Sequence, residues 1–121
     1  MKQAYKLRNY LKKYRLQCGL TQKEIAYLLG CSDATAISHY ERNVRIPPLE
    51  ILLGYEKIFN LPMRFFYART ASEIGRKIEK RSGILLNKIV RQPSSKMNER
   101  KIDFLQGRCE FSPVFKVNPQ S

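Results

Sequence analysis

The side chains able to do chemistry in this chain are few, and their spacing limits what that chemistry can be. One histidine, His39, three cysteines, Cys18, Cys31 and Cys109, and ten acidic residues are scattered over 121 residues. The cysteines are odd in number, far apart and without a CxxC pair, so neither a disulfide framework nor a structural zinc site is indicated. Reduced, mostly buried thiols are expected instead. No paired acidic cluster offers an acid–base constellation, which leaves an enzyme without candidate residues and implies no cofactor and no metal. What does recur at helical spacing is a set of short or hydrogen-bonding side chains, Ala34, Thr35, Ser38, His39 and Arg42, backed by Ile37 and Tyr40. A small, polar face that ends in a cation suits recognition of a partner.

Two short helices joined by a tight turn must position that face, in Leu20 to Glu41, LTQKEIAYLLGCSDATAISHYE. Thr21 and Glu24 have the spacing of a capping box, and Leu20 and Ile25 flank it as a hydrophobic staple. Ile25, Ala26, Leu28 and Leu29 are expected to face inward, and Gly30 tolerates the positive φ that ends the helix. Ser32 or Asp33 can cap the second helix. A small residue, a glycine at the turn and a buried aliphatic are what a steep helix crossing needs.

The partner is suggested by charge. Lys and Arg number 23 against 10 acidic residues, a net charge of +13, which is the footprint of a polyanion binder. The excess is spread evenly, with 12 basic and 5 acidic residues in 1–69 and 11 and 5 in 70–121. No stretch approaches the length of a membrane span, and the start, MKQAYKLRNYLKK, has no apolar segment of the signal-peptide kind, so a cytoplasmic protein with no membrane partner is expected.

Elsewhere the pattern is helical throughout. A first helix is expected from about Ala4 to Cys18, closed by Gly19. Glu41 to Pro48 carries two prolines and must be a loop. A fourth helix should run from Leu49 to Phe59 with Leu49, Leu52, Leu53, Glu56 and Ile58 or Phe59 facing inward, and Asn60 as a left-handed cap. A short fifth helix, Met63 to about Tyr67, brings Phe65 and Phe66 under the core. Beyond it, Ser72 to about Val90 reads as a helix interrupted by Gly83, or as two helices. A Gln92–Ser95 linker, a helix from Asn98 to about Cys109 and an extended or disordered tail from Phe111 complete the chain.

These residues resemble those of a known family, the Xre/Cro-type helix-turn-helix repressors. The resemblance covers about residues 5–68 and rests on Leu7-Arg8, Arg15, Gly19-Leu20-Thr21-Gln22-Lys23-Glu24-Ile25-Ala26, Leu29-Gly30, Ile37-Ser38, Tyr40-Glu41-Arg42, Pro47, Leu49-Glu50, Leu52 and Phe59-Asn60-Leu61-Pro62. It implies an all-α fold: a five-helix domain over 1–69 with a basic, partly helical extension over 70–121. It also implies double-stranded DNA as partner, with Gln22 touching a phosphate and bracing the base-reading side chains. Ala34, Thr35, Ser38 and His39 would face base edges in the major groove, and Arg42, Asn43 and Arg45 would approach the backbone. Lys23 and Asp33 join the expected contact set, and Thr21, Glu24, Gly30 and Ile37 support it. The family's buried arginine–glutamate pair looks like Arg15 and Glu41, structural rather than reading.

Between Gly30 and Ile37 this chain carries one residue more than the commonest family spacing. Either the turn is longer or the third helix starts a residue later, which shifts the readers, and Asp33 is either a cap or an interface carboxylate. The expected function is transcriptional regulation, as a repressor acting as a homodimer through the appended helices. The alternative is an antitoxin or other interaction module whose residues 70–121 grip a protein partner.

Overall fold

The computed structural model describes residues 7–108 and Phe111. Among the described residues seven helices follow one another: α1 Leu11–Gln17, α2 Gln22–Leu29, α3 Thr35–Glu41, α4 Leu49–Phe59, α5 Met63–Phe66, α6 Ala68–Val90 and α7 Lys96–Leu105. The fold is all-α, without a strand among the described residues. It divides into two compact units, with the boundary in the chain between Gly75 and Arg76.

The N-terminal unit is built on Leu11, Ile25, Ile37, Tyr55 and Phe66, each fully buried, together with Ala26 and Tyr40. Aromatic rings from three helices close it. Phe66 of α5 meets Tyr14 of α1 edge-on at 5.9 Å and Phe59 of α4 at 5.7 Å, while Tyr55 stacks on Phe59 at 5.6 Å. Such pairs add a directional term of about 0.5–1.5 kcal/mol to the area they bury. Where α2 and α4 approach, Leu29 occupies the space of an absent side chain: a Cβ on Gly54 would lie 2.4 Å from its Cδ2.

Helix α1 begins at Leu11, later than the expected Ala4, and residues 7–10 are not helical. One long-range bond and one local bond decide this. The Tyr10 N–H donates to the Phe66 carbonyl at 2.8 Å, and the Asn9 side chain accepts from the Leu11 N–H at 3.0 Å. Cys18 then caps α1 and is exposed, against the expectation of burial, while Cys31 is half-buried and Cys109 lies outside the described residues.

Helix α4 has the expected bounds but a different inner face. Tyr55 is fully buried, flanked by the partly buried Ile51, Ile58 and Phe59, whereas Leu49 and Leu53 are exposed. The aromatic cluster sets the rotation, since only the 51/55/58/59 side reaches Tyr14 and Phe66. Burial raises the ionisation of the Tyr55 hydroxyl well above its ordinary value. Glu56 accepts from the Met63 N–H at 2.6 Å and so caps α5 rather than filling the core. Asn60 is the left-handed cap, at φ 54°. Phe65, also expected inside, is exposed.

Helix α6 starts at Ala68, four residues before the expected Ser72, and runs without a break through Gly83 to Val90. Nothing between Ala68 and Ser72 removes a backbone donor, and a mid-helix glycine costs only about 1 kcal/mol. Helix α7 opens two residues before the expected Asn98, because Ser95 accepts from the Asn98 N–H at 3.1 Å and serves as its cap. It ends at Leu105. In the C-terminal unit Ile89 is the one apolar residue buried among the described residues. The expected tail from Phe111 lies outside the described residues, apart from Phe111 itself, which is exposed.

Candidate nucleic-acid interface

The capping box forms as its spacing requires. Thr21 Oγ1 accepts from the Glu24 N–H at 3.0 Å, and Glu24 accepts from the Thr21 N–H at 2.9 Å. The Thr21 N–H, helped by the Thr21 hydroxyl, holds the Glu24 carboxyl below the usual carboxylate range. At the other end of α2, Gly30 takes φ 74° and turns the chain toward α3.

Helix α3 begins at Thr35. Asp33 Oδ1 accepts from the Thr35 N–H at 2.8 Å from one residue ahead of the N-cap, so Asp33 is not itself the expected N-cap, and the Thr35 N–H lowers its ionisation range. Ala34 occupies the N-cap position and is half-buried. Ile37 and Tyr40 fix the helix to the core. Thr35 and Arg42 are exposed, while Ser38 and His39 are half-buried. Arg42 Nε donates to Ser38 Oγ at 3.1 Å, which ties two of the expected contact residues to each other. His39 Nδ1 is buried without a hydrogen-bond partner among the described residues.

Beneath this face lies a buried ion pair. Arg15 Nε and Nη2 donate to the two carboxylate oxygens of Glu41 at 2.6 and 3.2 Å, with side chains 9% and 1% exposed. The third helix thus meets the first through the pair that the family resemblance implied. Arg15 Nη1 also donates to the Leu20 carbonyl at 2.9 Å. Gln22 Nε2 donates to Glu41 Oε1 at 3.0 Å. The network therefore reaches Leu20 and Gln22, on both sides of the Thr21 cap.

Asn43 follows α3 at φ 61°, a conformation that asparagine tolerates better than most residues. Asn9 clasps it, donating from Nδ2 to Asn43 Oδ1 at 2.9 Å and to the Tyr40 carbonyl at 2.8 Å. Sequence reasoning missed Asn9, because its partners lie more than thirty residues away. Lys23 and Arg45 are exposed. Gln22 is thus tied to α3 through Glu41, Thr35, Ser38 and His39 lie on that helix with Arg42 at its end, and Asn43 is held by the segment before α1.

Among the described residues no group of three acidic, histidine or cysteine side chains could hold a metal, and no helix is long and apolar enough to cross a membrane. Residues 11–66 match the family model described as Helix-turn-helix. No match is found among the curated proteins or among the solved structures.

Proposed function

Residues 11–66 belong to the Xre/Cro-like helix-turn-helix family, and from that premise we propose that the protein is a sequence-specific transcriptional regulator, a repressor that reads duplex DNA with α3. The observation that carries the proposal is the division of labour on that helix. Ile37, Tyr40 and Glu41 are buried and hold it, leaving the side of Thr35 and Arg42 outside the core. A major groove admits one helix, and short side chains at its start, Ala34 and Thr35, allow close approach, with a thymine methyl as a fitting apolar contact.

In this reading Thr35, Ser38 and His39 face base edges. Asp33 either serves the Thr35 N–H alone or meets a cytosine amino group, since a carboxylate repels phosphate. Gln22, Lys23, Arg42, Asn43 and Arg45 approach the sugar–phosphate backbone and supply affinity without sequence preference. The activity is binding rather than catalysis, and its site is the cytoplasm. A single small domain contacts little DNA, whereas two copies read two half-sites. We place the pairing in residues 70–121, where α6 leaves Ile78, Ile84 and Leu85 exposed. Those same side chains support a grip on a protein partner as the second reading.

Selection of bound duplexes from a random pool near physiological salt tests the proposal. The expected product is an inverted repeat with half-sites about 10 base pairs apart. A pool without enriched sequence refutes it, and co-purification of an unrelated chain then favours the interaction module.

A further inference from the structure

Glu41 has more to do than balance Arg15. Its carboxylate is 1% exposed and accepts three bonds, two from Arg15 and one from Gln22. A carboxylate only accepts, so the Gln22 amide has one orientation open to it: Nε2 faces Glu41 and the carbonyl oxygen faces away. Glutamine at a helix start ordinarily keeps several rotamers and both amide orientations, and choosing one on binding costs entropy. Here the choice is made within the folded chain, by a group that is itself fixed on two sides. Arg15 holds the Leu20 carbonyl with the same guanidinium, so the residues on either side of the Thr21 cap answer to one ion pair.

We infer that Glu41 is a positioning residue for DNA contact through Gln22: the buried Arg15–Glu41 pair sets the Gln22 side chain in its DNA-competent orientation before the duplex arrives. The inference rests on the DNA-binding reading above. It gives the pair a part in affinity that is separable from its part in stability. Gln22 offers DNA its second amide N–H and its carbonyl oxygen, the first of which suits a phosphate.

The test is a cycle on the full chain. Replacing the pair together, Arg15→Met with Glu41→Met, exchanges a buried ion pair for apolar side chains of similar length and leaves no orphan charge, so the fold is expected to survive. Binding to the selected duplex is measured for wild type, Gln22→Ala, the paired variant and the triple variant. Gln22→Ala should weaken binding about five-fold, within the range that one immobilised side chain contributes. The paired variant should lose as much at an unchanged melting temperature, and the triple variant no more. Equal losses from Gln22→Ala in both backgrounds, or full affinity in the paired variant, overturn the inference. Side-chain amide NMR of the free wild type is independent of whether any variant folds. One Gln22 amide proton protected from exchange is expected, and two freely exchanging protons overturn the proposal. Wild type that retains no duplex overturns the DNA reading and this inference with it, whereas additive losses with binding retained overturn the inference alone.

Discussion

Truncating Glu41 to alanine should unfold a large part of the stability of the N-terminal unit. The change removes both Arg15 bonds and the Gln22 bond, at 2.6, 3.2 and 3.0 Å, and leaves a guanidinium that is 9% exposed. Breaking a buried pair by deleting one partner costs about 3–5 kcal/mol, because the surviving charge stays out of water. Arg15 keeps its bond to the Leu20 carbonyl, which points to the lower end, about 3 kcal/mol. For a domain of this size each kcal/mol moves the melting temperature by roughly 4–8 °C, so a drop on the order of 12–24 °C is expected. Far-UV circular dichroism followed through heating and through urea gives both numbers. The paired Met variant should melt close to wild type in the same assay. A Glu41→Ala midpoint within about 1 kcal/mol of wild type would refute the reasoning, because Arg15 would then be solvated or repaired locally.

Two glycines should respond to alanine in opposite directions. At Gly30 the positive φ makes Gly30→Ala destabilising by about 1–2 kcal/mol, while Gly30→Asn costs less, since asparagine tolerates that conformation. Gly83 sits in open space inside α6, so Gly83→Ala should raise helicity and stabilise the helix by up to about 1 kcal/mol, read by circular dichroism. Thr21→Ala removes one half of the capping box and should lower the urea midpoint by the equivalent of about 1 kcal/mol. Glu24 and Asp33 ionise below the usual range in the folded chain, so both stabilise it above that range and lose the effect as pH falls through it. Melting temperature should therefore decline below about pH 5, and less steeply in Glu24→Gln/Asp33→Asn. Thr35→Ala with His39→Ala should change which duplexes are selected while leaving the melt intact; an unchanged preference removes both as readers.

What could be read from the sequence was what short-range chemistry decides. The Thr21–Glu24 box, Gly30, Asn60 and the bounds of α4 each depend on residues within one or two turns, and each forms as expected. The face of α4 was not legible, because Leu49, Ile51, Leu52, Leu53 and Tyr55 make the helix apolar on several sides. Its rotation follows from ring contacts with Tyr14 and Phe66, distant in sequence. The start of α1 was hidden in part for the same reason: Leu7, Tyr10 and Leu11 suit a helix, and the distant Phe66 carbonyl, with the local Asn9 side chain, sets its start at Leu11. At the interface, residue types and spacing singled out α3, yet the Gln22–Glu41 link and the Asn9 clasp required three dimensions.

That clasp bears on how the protein can be dissected. A fragment cut at the limits of family similarity, 11–66, keeps every helix-turn-helix residue yet discards Asn9, so the Tyr40 carbonyl and the left-handed Asn43 lose the side chain that braces them. It also discards Tyr10, whose amide ties the start of α1 to Phe66. The unit that similarity delimits is thus smaller than the unit that holds the loop after α3 in place. A minimal domain made for crystallisation with DNA should begin no later than Asn9, or the loop after the third helix will be presented without its anchor.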